Sequence, residues 1–404
     1  MNQMTKHLQR MTKVILLVLV VGSITFFATV SAETAPKWQN LLKKMVNINS
    51  GTQNIEGIYA AREVLIPEFE KLGFKADIHH LDDGHKLVSM MVPGGKPELL
   101  LMGHIDTVFK KDSALQEYEV KEDKIYGPGI IDMKAGLVLM LELLKKFKDT
   151  DQLTKFMVII NDDEEIGSPH SHALVKKLVA GIKSGLVFEP GLPDGAVITS
   201  HSGVRWLTLS VQGKASHAGL EPEKGINACV ELSYKVAEIS KLTDYSQKLT
   251  VNVGVIDGGS KPNVVCEHAK ATIDIRFVER DDIEKTVRKI QDITEENYVY
   301  NDYLETAPTA KLETLVATPS MPSSHTKRLY GLLKVAGKSI GQEVKGSHVG
   351  YTSDANHLAD TGMDLLIGLG PYGGGMHTDS EFLKISTYEE RLELAESLIK
   401  EILK

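Results

Sequence analysis

The sequence predicts an α/β protein of two domains, a largely parallel-sheet domain interrupted by a smaller ferredoxin-like α+β layer. Three observations carry this. The chain has 404 residues, which suits two domains at roughly 100–200 residues each. From Leu41 to about His201, short apolar runs alternate with helical patterns, the signature of a parallel sheet covered by helices. Beyond Ser202 the texture changes to half-buried alternating strands with two helices, in the order β-α-β-β-α-(β), which reads as a ferredoxin-like unit.

In the first part, Leu99–Met102, Phe156–Ile160 and Gly185–Phe188 are short apolar runs, as expected of strands buried on both faces. Met133–Phe147 carries apolar residues at helical spacing. In the second part, Val204–Val211, Leu249–Ile256 and Ala271–Phe277 alternate. Helices are expected at about Ile226–Ser240 and Asp281–Glu296. The first domain resumes near Ser320, with helices at about Thr326–Ile340 and Thr387–Leu403. Thr387-Tyr388-Glu389-Glu390 has the form of a capping box for the last of these. The domain assignment is therefore 1–32 for a leader, 33–201 with 318–404 for the larger domain, and 202–317 for the insert.

Residues 1–32 stand apart. Lys6, Arg10 and Lys13 precede an apolar run from Val14 to Val30, and Val30-Ser31-Ala32 offers small residues for cleavage. This is the layout of a secretory signal peptide, which predicts a periplasmic or secreted protein with no membrane attachment once cleaved. The alternative is an uncleaved anchor, since the run approaches the ~17–25 residues that span a bilayer. Composition is ordinary for a globular chain, 42% hydrophobic and 25% charged. A formal charge of −8 with no basic stripe speaks against nucleic acid as a partner. The two cysteines, Cys229 and Cys266, are too few for a four-cysteine zinc site. Their pairing is open, with two small buried side chains as the alternative to a disulfide.

Chemistry-bearing residues gather where apolar strands end, which is where ligands bind in open α/β sheets. Gly103-His104-Ile105-Asp106 follows the first strand. His104 could bind a metal while Asp106, two residues on and pointing the same way, fixes its ring. Asp132 lies in Gly127-Pro128-Gly129-Ile130-Ile131-Asp132-Met133-Lys134-Ala135-Gly136 at a helix start. It is either an N-cap or a carboxylate that bridges two ions. Asp162-Asp163-Glu164-Glu165 places four acids at a strand end. They repel one another unless a cation relieves them, and the bland alternative is a solvated acidic loop. Phe188-Glu189-Pro190 and Gly373-Gly374-Gly375-Met376-His377 complete the set. Each segment alone is ordinary. Together His104, Asp132, Glu165, Glu189 and His377 are five N/O ligands, a donor set for two Zn2+ per chain, with Co2+ or Mn2+ also suited. Two such ions can hold a hydroxide between them and polarise a carbonyl.

This ordered set resembles the co-catalytic dizinc peptidases and deacylases, the family of aminoacylase, acetylornithine deacetylase and succinyl-diaminopimelate desuccinylase. Among its members the chain looks most like glutamate carboxypeptidase. The likeness covers nearly all residues after the leader. It implies that Asp132 bridges both ions, that one ion adds His104 and Glu189, and that the other adds Glu165 and His377. It implies that Glu164 is the general base and that Asp106 clamps His104. In the insert, Gly213-Lys214-Ala215-Ser216-His217-Ala218-Gly219 matches a family segment whose histidine, here His217, stabilises the oxyanion from the partner subunit of a homodimer. Gly258–Val264 and Asp274-Ile275-Arg276 match the family's carboxylate-binding residues, here Asn263 and Arg276. Arginine also suits bidentate recognition of a carboxylate on physical grounds.

The implied activity is hydrolysis of the amide bond to a C-terminal amino acid, by a metallocarboxypeptidase acting on small peptides. The alternative within the family is a deacylase or dipeptidase acting on N-acyl amino acids with a free carboxylate. A binding protein that kept the fold without turnover is disfavoured by the intact Glu164 and ligand set. Two departures matter. Tyr351 stands where relatives commonly have glycine, which narrows the cleft. No Lys or Arg lies between Pro190 and Ser200 to meet an acidic side chain, so α-carboxylate recognition is implied while glutamate preference is not.

Overall fold

The computed structural model describes residues 36–404. The leader assigned to residues 1–32 lies outside the described residues. Among the described residues, no helix is long and apolar enough to cross a membrane.

Within the compact unit Leu41–Lys404, eight strands form one sheet in the order 75–80, 86–91, 156–161, 99–104, 184–187, 364–367, 197–201 and 346–349. Its centre is parallel: Leu99–His104 pairs with Phe156–Asn161 on one side and with Ser184–Val187 on the other. These three strands are buried along their whole length, which explains the unbroken apolar runs. The strand pair Lys75–His80 and Lys86–Met91 adds an antiparallel edge. The helix Ala135–Lys145 begins two residues later than its apolar pattern, because a π-type turn occupies Ile130–Lys134.

The segment from Gly203 to Thr318 forms its own antiparallel sheet, ordered 250–258, 268–277, 203–212, 309–318. With the helices Ala228–Ile239 and Arg280–Glu295 this is the ferredoxin-like β-α-β-β-α-β arrangement. It has its own core, including Leu207, Leu209, Leu232, Ile273 and Ile290. A disulfide joins Cys229 to Cys266, with 5.7 Å between Cα atoms, so the open question of pairing is answered. Two buried charges sit in this core. Lys235 meets Glu231 at 2.9 Å and donates to the carbonyls of Ile293 and Thr294.

One local expectation fails. The last helix, Ser386–Ile402, has no side-chain cap from its own first turn. Thr387 instead donates to the carbonyls of Tyr372 and Lys384. The capping role falls to Asp123, from a distant strand end, which accepts from the Ser386 amide at 3.0 Å and its hydroxyl at 2.8 Å. A long-range acceptor outcompetes the local motif because the same orphan donors can be met from either side.

Candidate metal centre

Three neighbouring parallel strands end on one edge of the large sheet, and each delivers an acid or imidazole there. His104 closes the strand Leu99–His104, Glu164 and Glu165 follow Phe156–Asn161, and Glu189 follows Ser184–Val187. Asp132 is carried by the turn Ile130–Lys134. Gly136, one turn later, lies so close to the Phe188 carbonyl that a Cβ would stand 2.1 Å from it. That approach brings the Asp132 turn against the Glu189 strand end. His377 follows the short strand Gly373–Gly374 and has a left-handed φ of 64°, a conformation in which histidine is enriched but which other bulky residues avoid.

The side chains converge on Asp132. Its Oδ1 lies 3.2 Å from His104 Nε2 and its Oδ2 lies 2.9 Å from His377 Nε2. Glu189 Oε1 stands 3.5 Å from His104 Nε2, and Glu165 Oε2 stands 3.4 Å from His377 Nε2. Each carboxylate oxygen of Asp132 therefore faces its own His–Glu pair. Asp132 caps no helix, since the helix that follows has no side-chain cap bond. Glu164 is set back, with Oε2 4.0 Å from His104 Nε2. Donor atoms of His104, Asp132 and Glu165, and separately of His104, Glu164 and Glu189, lie within 4.8 Å of one another.

These spacings fit divalent cations. Ligand atoms ~2.0–2.1 Å from a tetrahedral ion stand roughly 3.3–3.4 Å apart, close to the separations found here. Glu165 Oε1 is buried without a hydrogen-bond partner, so it has spare capacity as a donor. His104 Nδ1 faces the backbone carbonyl of Asp106 at 3.1 Å and its Oδ1 at 3.3 Å, which leaves Nε2 toward the cluster. Asp106 is itself fully buried. It accepts from the Thr52 hydroxyl at 2.8 Å and from the amides of Glu164 and Glu165 at 3.3 and 3.2 Å.

The electrostatics report a deficit of positive charge. Burial, with Glu189, Asp354 and Glu165 nearby, drives the Glu164 carboxyl well above its ordinary range, against the opposing pull of His104. Burial and Asp132 push Glu165 up to about 7 despite His377. Burial also raises Glu189. The hydrogen bonds to Asp132 and Glu165 raise His377 to about 10. For His104, burial disfavours the cation, but Glu189 and the bonds to Asp106 and Asp132 prevail and raise it well above the usual value. Asp132 alone is depressed: burial is overcome by its two imidazole partners. In effect both imidazoles are drawn toward imidazolium, the charge that divalent cations would supply.

Not all four consecutive acids belong to the cluster. Asp162 pairs with Arg62 and with His85 at 3.1 Å. Asp163 accepts from the amides of His170 and Ser171 at 2.8 and 3.1 Å. The repulsion read from the sequence is thus half answered by structure, and only Glu164 and Glu165 face the ligands.

The insert's residues are placed differently. Arg276 is held by Asp274 at 3.0 Å and donates through Nη1 to the Gly350 carbonyl at 3.4 Å. This sets its guanidinium beside Tyr351. Burial and then the carboxylates of Glu189, Asp132 and Glu164 hold the Tyr351 hydroxyl above its ordinary range. His217 and Asn263 are exposed. They lie on adjoining segments, with the Ala218 amide donating to the Asn263 carbonyl at 3.0 Å. Among the described residues, no hydrogen bond or ion pair joins either of them to the cluster of the same chain.

Several supporting residues escaped the sequence reading. Glu381 is fully buried and accepts from the amides of Ile131 and Asp132 at 2.9 and 3.3 Å, fixing the turn that carries Asp132. Lys134, also fully buried, donates to the Ile48 carbonyl at 3.0 Å, and burial lowers it to about 7. The short helix Asp354–Leu358 grips two regions at once. Asp354 binds Ser168 and Asn161 behind the Glu164–Glu165 loop. Asn356 donates to the carbonyls of Ser202 at 3.0 Å and Pro319 at 2.8 Å, the two junctions by which the chain enters and leaves the insert.

A mostly parallel sheet, an inserted ferredoxin-like unit and a carboxylate flanked by two His–Glu pairs define a metal-dependent hydrolase of the metallopeptidase and amidohydrolase class. The chain belongs to peptidase family M20/M25/M40, whose sequence profile matches residues 100–401. It is 31% identical over 377 residues to carboxypeptidase G2 of Pseudomonas sp. (strain RS-16), covering 89% of this chain and 88% of that one. It is 25% identical over 349 residues to an acetylornithine deacetylase of Proteus mirabilis, covering 82% and 87%. In fold it is similar to an M20 family metallo-carboxypeptidase from Sulfolobus solfataricus, with a TM-score of 0.71 and 19% identity over 90% of this chain and 99% of that one.

Proposed function

We propose that this protein is an exported, two-zinc metallocarboxypeptidase that hydrolyses the amide bond to a C-terminal amino acid. The observation that carries the reading is Asp132, whose two oxygens each face one His–Glu pair. When bound there, two Zn2+ ions supply Lewis acidity toward the scissile carbonyl and lower the pKa of water; Co2+ or Mn2+ would suit the same donors. His104, Glu189, Glu165 and His377 would hold the ions, with Asp132 between them. Glu164, set back from the ligands, takes the proton of the attacking water and returns it to the leaving amine. Asp106 keeps the His104 ring in place. Arg276 grips the substrate's α-carboxylate, with Asn263 as a further polar contact. His217 donates to the oxyanion from the partner subunit of a homodimer, a reading supported by its exposure and its lack of contact with its own chain's cluster. Exposed Tyr234, Val255 and Ile256 on the insert offer apolar surface for such an interface. The disulfide supports export, because disulfides persist in oxidising compartments. The likeness to carboxypeptidase G2 favours peptidase action. The likeness to acetylornithine deacetylase keeps an N-acyl-amino-acid deacylase as the second reading.

The test is a matched panel on the metal-loaded protein: N-acetyl dipeptides with free and amidated C-termini, beside N-acetyl amino acids, with metal content measured in parallel. Cleavage of the free-carboxylate dipeptides and not of the amides is expected, at two ions per chain. Equal cleavage of the amides, or full activity with one ion per chain, would overturn the reading.

A further inference from the structure

On the insert's sheet, residues two apart along a strand share a face. Leu207, Leu209, Ile273 and Ile275 turn one face to the helices, where they pack with Leu232 and Ile290. Trp206, Asp274 and Arg276 belong to the other face, since they alternate with those residues along the same two strands. Trp206 stands directly opposite Asp274 on one neighbouring strand and Val316 on the other. It is left 42% exposed, although so large an aromatic contributes most where its area is buried.

The polar end of the indole is committed. Trp206 Nε1 donates to Asp274 Oδ1 at 2.5 Å, and Arg276 Nε donates to the same oxygen at 3.1 Å. Sharing one acceptor holds the two nitrogens within roughly 6 Å of each other. Asp274 thus occupies Nε of the guanidinium, and the Gly350 carbonyl meets Nη1 at 3.4 Å. Of the five N–H donors of an arginine, those left over lie on the two terminal nitrogens, a pair that can meet a carboxylate end-on. The side chain of a bound amino acid branches from the carbon next to that carboxylate, so the span to the indole is one that a leucine or phenylalanine covers. We propose that Trp206 sets specificity: its exposed indole is the wall for the side chain of the substrate's carboxylate-bearing residue, and it selects a large apolar or aromatic C-terminal residue over a small or acidic one. The proposal rests on the reading of Arg276 as the carboxylate grip. Contact with an apolar side chain takes the indole surface out of water. An acidic side chain gains nothing there, because Arg276 is committed to the α-carboxylate and the charge that touches the indole is Asp274. Through Asp274, Trp206 is also a positioning residue for Arg276.

The test compares ratios within one protein, so that general loss of activity cancels. We would measure kcat/KM for N-acetyl-Ala-Phe, N-acetyl-Ala-Ala and N-acetyl-Ala-Glu. The same peptides would be titrated calorimetrically into metal-loaded Glu164→Gln, where binding is read without turnover. The Phe peptide should exceed both others by about tenfold or more. Trp206→Ala should bring the Phe/Ala ratio close to one. Trp206→Phe keeps an aromatic wall without the bond to Asp274, so it should keep that ratio while raising KM for all three peptides several-fold at little-changed kcat. A merely structural role would move neither the ratio nor KM at a temperature where both variants are folded. The same preference in binding, without hydrolysis by the wild type, would sink the proposed activity and leave the role of Trp206 standing. Hydrolysis with the Glu peptide preferred, with a Phe/Ala ratio near one, or with a ratio unmoved by Trp206→Ala would overturn the specificity role and leave the activity standing. A wild-type KM in Trp206→Phe would overturn the positioning role.

Discussion

Replacing Glu164 by glutamine separates proton transfer from metal binding. Glu164 Oε2 lies 4.0 Å from His104 Nε2, whereas the ligand acids Glu189 and Glu165 approach their imidazoles to 3.5 and 3.4 Å. The shape of the side chain is kept, and one negative charge is removed from a group already driven toward its neutral form by burial and neighbouring carboxylates. Folding stability should therefore be equal or slightly higher. Metal content should stay at the wild-type value, because no ligand is lost. General base catalysis contributes typically ~10²–10⁴-fold, so kcat should fall by about that factor while KM changes little. The assay is steady-state hydrolysis with metal content determined on the same sample. A metal-replete variant within about tenfold of the wild-type rate would refute the assignment, and loss of metal would move Glu164 into the ligand set.

Four further outcomes are expected. Heterodimers formed by refolding inactive Glu164→Gln with inactive His217→Ala should recover activity, since one hybrid site would hold both intact residues; parental activity in proven heterodimers would exclude His217 acting in trans. Asp106→Asn should weaken metal binding by roughly 10–100-fold, measured by chelator competition, because Asp106 orients His104 and accepts from Glu164, Glu165 and Thr52; unchanged affinity would contradict the clamp. Lys235→Met removes the cation paired with the buried Glu231 carboxylate, which keeps its bonds from the Tyr298 and Val299 amides, and should cost about 3 kcal/mol by denaturant titration, so a loss under ~1 kcal/mol would contradict it. His201 is fully buried and lowered by burial to about 4, below its unfolded value of ~6.5. The unfolded chain then binds the extra proton first, so this stability is complete above pH ~6.5 and is lost as pH falls toward 4, by up to ~3 kcal/mol; His201→Asn should show a shallower decline there, and an unchanged slope would contradict the assignment.

The sequence by itself determined the class of chemistry. His104, Glu165 and Glu189 were legible because each follows a short apolar run, and residues at the ends of neighbouring parallel strands must share one edge of the sheet. The insert was legible because strand alternation has a period of two that a change of domain does not blur. Helix ends fell within one or two residues of their patterns, the usual uncertainty of such boundaries.

Only the tertiary structure decided the rest. Asp132 at a helix start could cap or bridge, because the same carboxylate serves both; the fold excludes the cap and sets His377, far along the chain, against its second oxygen. Asp162 reads like its neighbours in sequence, yet Arg62 removes it from the site. Glu381 is a lone acid in a loop until the Asp132 turn folds onto it, and Asn356 is an ordinary helical residue until the two ends of the insert meet it. Buried polar groups of this kind take their meaning from partners remote in sequence, and local periodicity records which face is apolar without recording which distant donor will satisfy an acceptor.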